Sequence, residues 1–169
     1  MQSAESLKRR IEMEERNTAS REAPSGTATI KLGDDSNSSE ILVFTSLGNV
    51  YKVQKKEVLD KVQALQKVEL EPGERPVYLT GEKRYKGFLI VGFENGKMGK
   101  ISLKSYETEY ARKKLKGAFN SESRLIFIEL IERDIDLVSM SSIKKVVVFN
   151  TSLINAVESR TTKGVQVMK

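Results

Sequence analysis

The chain has 169 residues, 38% of them hydrophobic, and its 29 Lys/Arg against 23 Asp/Glu give a formal charge of +6. It holds no cysteine and no histidine, which excludes disulfides, thiolate metal sites and the side chain most used for proton transfer near neutrality. No run approaches the ~18–20 apolar residues of a membrane-spanning helix, and the N-terminus lacks the apolar segment of a secretory signal.

Residues 3–17 are rich in helix formers, with Leu7 and Ile11 at helical spacing. Only Leu7, Ile11 and Met13 could be buried there, so a flexible or partly helical extension over 1–26 is expected, ending at Ala23-Pro24-Ser25-Gly26. From 27 to 169 the pattern reads as one repeat domain of strands. Thr27 to Leu32 is a short β-like run, and Gly33 to Ser39 is a polar turn.

The middle of the domain carries the clearest signal. Phe88 to Val91 is apolar, Glu94-Asn95-Gly96 follows, and Lys97 to Leu103 alternates charged and apolar residues. An Asn-Gly pair between such runs marks a β-hairpin, because a tight turn needs backbone with positive φ. A related unit lies 48 residues away on either side: ILVFTSLGNVYKV from Ile41, LIVGFENGKMGKI from Leu89 and LVSMSSIKKVVVF from Leu137. Thr45, Phe93 and Ser141 align without a gap, as do Val50, Met98 and Val146, while Gly48 aligns with Gly96. The units run over about 41–87, 88–135 and 136–169. A fixed period of 40–50 residues typifies propeller blades.

Further strand candidates separate the hairpins. Val68 to Leu70 leads to the turn Glu71-Pro72-Gly73-Glu74, Arg75 to Thr80 resumes an extended pattern, Leu125 to Ile131 is strongly β-prone, and Gly164 to Met168 alternates. Val58 to Leu65 fits a helical turn or a loop. Each unit thus supplies about four short strands. Three units are fewer than the ~4–8 blades of a closed propeller, so an all-β, propeller-like arc of about three four-stranded blades is expected, an incomplete ring or a fragment of one.

The charge is unevenly placed. Residues 1–35 hold 6 Lys/Arg and 7 Asp/Glu, and the β-rich remainder holds 23 and 16. A basic repeat domain points to a polyanionic partner such as nucleic acid.

On these residues the chain resembles a known family. ILVFTSLGNVYKV, then Phe93 to Phe119, then Val148 to Ile154 with Ser159 to Met168, are similar in order and period to the C-terminal β-pinwheel domain of the A subunit of bacterial type IIA topoisomerases, DNA gyrase and topoisomerase IV. The resemblance covers about 27–169. It implies blades that exchange strands with their neighbours, a basic rim on duplex DNA, and partnership with the remaining A-subunit domains and the ATPase B subunit. It also implies a cytoplasmic, nucleoid-associated setting, and an ATP-dependent isomerase whose catalytic tyrosine lies elsewhere, with no cofactor, metal or catalytic residue in this chain and no membrane partner. Gyrase members carry a Gln-Arg-Arg-Gly-rich box needed for wrapping DNA. The nearest strings here are Lys83 to Gly87 and Arg112 to Gly117, so binding or bending is expected rather than tight wrapping.

The candidate DNA contacts follow the cations of the repeat. Lys52, Lys55, Lys56, Lys97, Lys100 and Lys104 sit on or after the second strand of a hairpin, Lys144 and Lys145 in the third turn, and Arg84 and Lys86 before the second hairpin. Arg112, Lys113, Lys114 and Lys116 form the densest basic cluster, suited to phosphate neutralisation with counterion release. The bland readings are a solvated loop and edge lysines that block aggregation. Tyr51, Tyr78, Tyr85, Tyr106 and Tyr110 fit core packing better than base stacking, since a duplex hides its base faces. Glu132, Asp134 and Asp136 read as a solvated acidic loop rather than a metal site. A protein-interaction scaffold, or a truncated paralogue that does not wrap DNA, is the alternative reading.

Overall fold

The computed structural model describes residues 31–32, 39–82, 84–108 and 112–169. The extension read over 1–26, most of the polar turn after Leu32, and Tyr110 lie outside them. Three antiparallel hairpins carry the repeat: β2 (Glu40–Thr45) with β3 (Asn49–Gln54), β5 (Phe88–Phe93) with β6 (Lys97–Ser102), and β9 (Asp136–Met140) with β10 (Val146–Asn150).

The 48-residue period holds down to single hydrogen bonds. Each turn is closed alike, with Gly48 N–H donating to Thr45 O, Gly96 to Phe93 and Lys144 to Ser141, all at 2.9–3.0 Å. The closing residue has positive φ each time, +71° at Gly48, +77° at Gly96 and +62° at Lys144. The third hairpin therefore sets a lysine where left-handed backbone costs a residue with a Cβ about 1–2 kcal/mol. Each second strand then enters a 3₁₀ turn, starting at Lys55, Leu103 and Thr151. Their N–H groups donate to Ser39, Gly87 and Ile135 carbonyls at 2.9–3.0 Å, tying the turn to the start of the first strand.

The strands are not shared out one blade per unit. β4 (Pro76–Glu82) pairs with β2 and β8 (Leu125–Ile131) with β5, each with a register shift at the same place, between Phe44 and Thr45 and between Gly92 and Phe93. β7 (Lys114–Lys116) comes from the second unit yet pairs with β3 of the first. Likewise β11 (Ala156–Val157) and β12 (Val165–Gln166) of the third unit pair with β6 of the second. With β1 (Lys31–Leu32) added beside β4, the described sheets have five, five and two strands. This is an all-β pinwheel with strand exchange.

The sheets stack face to face. Leu42, Phe44 and Val50 on one side of the first hairpin meet Leu89, Val91 and Ile101 of the second, in a cluster that includes Tyr78 and Tyr106. Phe44 lies edge-on to Tyr106, with ring centroids 5.5 Å apart. On the other side of the second hairpin, Ile90 and Met98 cluster with Ile131 and Ile154, and Leu137 and Phe149 of the third hairpin pack there. The far side of the first sheet is closed by Val58, Ala64, Leu65 and Val68. This cap contains helix α1 (Lys61–Gln66), whose start is fixed by Asp60 accepting from Gln63 N–H at 2.8 Å. Val68 to Leu70, expected as a strand, forms none, because Val68 turns inward to cover the sheet.

Candidate nucleic-acid interface

Two of the expected contacts are corrected by the structure. Lys52 and Lys100, the most regular lysines of the repeat, are interior side chains, 9% and 6% exposed. Lys100 Nζ pairs with Asp134 at 2.6 Å, donates to Thr151 O at 3.4 Å and lies 4.7 Å from the centre of the Phe88 ring. Lys52 Nζ lies 4.0 Å from Glu40, donates to Thr108 at 3.2 Å and sits 4.7 Å over Tyr85. Burial lowers the Lys52 pKa, opposed by the Glu40 and Glu107 charges, and the hydrogen bond from Lys100 lowers that of Asp134, with Thr151 adding to it. Strand alternation sends both lysines into the gaps between sheets. They tie the pinwheel together and cannot reach a phosphate.

Lys114 is half engaged. Its ammonium pairs with Glu71 and lies 4.9 Å over the Tyr51 ring, and the Glu71 bond, then that with Tyr51, raises its pKa. The other expected cations lie at the surface in three places. Lys97, Lys144 and Lys145 stand at the hairpin-turn end. Lys55, Lys56 and Lys104 stand at the opposite end, where the 3₁₀ turns lie, with Arg84 and Lys86 just ahead of the second hairpin.

The third place is the edge strand β7, the last strand of the first sheet. Lys116 is exposed on it, and Arg112 and Lys113 are exposed just before it. Its register is fixed by Tyr51 opposite Lys114 and Asn49 opposite Lys116, and Lys52 N–H donates to Lys113 O at 2.9 Å. Antiparallel pairing then brings Arg112 and Lys113 to the end of β3 that leads into Lys55 and Lys56. Arg112 and Lys113 thus lie towards the end of β3 after which Lys55 and Lys56 follow, and Lys116 towards its start.

Sequence reasoning missed what holds this edge. Arg160 donates to the carbonyls of Ser105 at 2.8 Å, Gly117 at 3.1 Å and Lys116 at 3.5 Å, with its guanidinium 5.9 Å from the Tyr106 ring centre. A third-unit arginine thereby pins the end of β7 in place. Its segment, Ser159 to Met168, carries only the family resemblance, and no local spacing marks an arginine that binds carbonyls. The tyrosines behave as expected: Tyr51, Tyr78 and Tyr106 are buried, and Tyr85 is half-buried against the core. Burial pushes the Tyr106 hydroxyl far up, and it donates to Ala118 O at 2.5 Å.

No family model and no curated protein matches the sequence. Solved structures do match. The C-terminal domain of DNA topoisomerase IV superposes with a TM-score of 0.54 at 18% identity, over 75% of this chain and 42% of that one. The DNA gyrase A C-terminal domain gives 0.52 at 16%, over 84% and 52%. The E. coli ParC C-terminal domain gives 0.59 at 15%, over 80% and 56%. The chain has the β-pinwheel fold of these domains. It spans about half the length of each.

Proposed function

We propose that this chain is a non-catalytic duplex-DNA-binding module of a type IIA topoisomerase A subunit, gripping the backbone with Lys55, Lys56, Arg112, Lys113 and Lys116. The observation that carries the reading is the set of exposed cations on and just before the edge strand β7, which its register brings towards the end of β3 where further lysines follow. The fold supports it, since the matching domains come from DNA topoisomerase IV and DNA gyrase A. In this reading the A subunit's other domains supply the catalytic tyrosine, a B subunit supplies ATP turnover, and the assembly works on the cytoplasmic nucleoid.

Phosphate neutralisation makes affinity salt-dependent and nearly blind to sequence. Five such contacts give a slope of about −4.5 in log K against log salt, a loss of roughly 500-fold between 50 and 200 mM. Fluorescence anisotropy with linear duplexes of two unrelated sequences tests this. Lys113→Glu with Lys116→Glu should weaken both duplexes equally and flatten the slope by about 2. Unchanged binding in that variant, or no binding by the parent chain at low salt, refutes the assignment.

A further inference from the structure

An arm of the third unit lies against the end of β7. It is the turn over residues 159–162, closed by Thr162 N–H donating to Ser159 O at 3.3 Å. Arg160 donates to the Lys116 and Gly117 carbonyls, and the Asn120 side-chain N–H donates to Thr161 O at 3.2 Å. The approach is close because residue 117 is a glycine. A Cβ there would lie 3.2 Å from the Thr161 methyl, on backbone with φ of +65°. These contacts fix where the next side chain along the arm, Lys163, stands.

Lys163 lines a cavity of about 660 Å³ together with Lys116, Glu71, Glu122 and Gly48 of the first hairpin turn. Both acids of this cavity are engaged, Glu71 by Lys114 and Glu122 by Lys163 at 2.9 Å. The two pairs differ in how firmly they hold. Lys114 is also seated over Tyr51, and its side chain is 25% exposed. The side chains of Lys163 and Glu122 are 67% and 63% exposed, and an ion pair so open to water is worth about 0–1 kcal/mol. A phosphate can therefore replace Glu122 on Lys163 at little cost.

We propose that Lys163 is a further phosphate contact of the duplex site, brought to the edge of the first sheet by the Arg160 arm and held by Glu122 until DNA displaces it. The inference rests on the DNA reading and deepens it, since all three units then supply cations to one site. The first gives Lys55 and Lys56, the second Arg112, Lys113 and Lys116, and the third Lys163. Glu122 acts as a stand-in for the phosphate, so its removal strengthens binding.

The test is fluorescence anisotropy with one linear duplex between 50 and 200 mM salt, comparing the full chain with Lys163→Gln, Glu122→Gln and the double variant. Both side chains are exposed, so the core is left intact. Lys163→Gln should bind at least about threefold more weakly and flatten the slope by about 0.9, making its loss over that range about 3.5-fold smaller than the parent's. Glu122→Gln should bind more tightly than the parent, and that gain should disappear once Lys163 is also replaced. Parental affinity and slope in Lys163→Gln, with Lys113→Glu still weakening binding, overturn this inference and leave the DNA reading standing. A gain from Glu122→Gln that persists in full without Lys163 overturns it too, since the acid then acts by general repulsion. No duplex binding by the parent at low salt overturns both.

Discussion

Glu74 is the most fully bonded carboxylate described, and replacing it tests how the first turn is held. It is 6% exposed. Asn49 and Tyr51 donate to it at 2.7 Å, Glu71 N–H donates at 2.8 Å, and the Thr45 hydroxyl donates to it as well. Burial alone would raise its pKa, but these four donors hold it down, from an ordinary 4.5 to about 2. A carboxyl lowered in the fold stabilises it fully above pH 4.5 and stops doing so as the pH falls from 4.5 towards 2. At 1.36 kcal/mol per unit the drop is worth at most about 3 kcal/mol.

Glu74→Gln keeps the shape but turns an N–H₂ group towards two donors, leaving them unmatched. A loss of about 2–3 kcal/mol at pH 7 is expected. Urea unfolding of both proteins at intervals from pH 7 to 2.5 measures it. The difference between them should hold steady down to pH 4.5 and shrink below it, by at most about 3 kcal/mol. Parallel stability curves through that range, or a variant within about 0.5 kcal/mol of the parent at pH 7, would refute the reasoning.

Three further outcomes are expected. Gly96→Ala adds to its left-handed strain a Cβ that collides with the Met168 carbonyl, whereas Gly73→Ala meets nothing within 4 Å; thermal melts should show the second losing about 1–2 kcal/mol and the first clearly more. Lys100→Met removes a buried charge and leaves Asp134, whose side chain is 38% exposed, to the solvent, so duplex affinity should stay within twofold while Lys113→Glu weakens it. Arg160→Ala orphans the Lys116 and Gly117 carbonyls at the end of β7 and that of Ser105 in the 3₁₀ turn after β6, and should cost about 2–3 kcal/mol, with hydrogen exchange quickening first at Leu115 and Ala118.

The repeat was legible because turn chemistry is local. Asn95-Gly96, Leu47-Gly48 and the alternating runs around them mark hairpins, and the spacing between them fixes the period. Even Lys144, which lacks a glycine's freedom, obeys it, since the surrounding strands impose the left-handed turn. Lys52 and Lys100 were misjudged for a physical reason. Alternation says that they share a face, but not that the neighbouring sheet covers that face, and their acidic partners lie in other segments. Arg160 was illegible because its ligands are main-chain carbonyls, which leave no mark on side-chain pattern. The strand expected at Val68 failed because a β-prone residue serves equally well as a lid.

Strand exchange also sets a timetable. β3 emerges from the ribosome complete at Gln54, but its edge partner β7 begins 60 residues later, at Lys114. At synthesis rates of about 5–20 residues per second, the first sheet waits roughly 3–12 s for its last strand. Through that interval α1 and the Val68 segment can already cover one side of the sheet, while the side bearing Leu42, Phe44 and Val50 awaits the second hairpin. Each unit is thus finished by its successor, and a nascent chain released before Ala118 would carry a first sheet that is open along one edge.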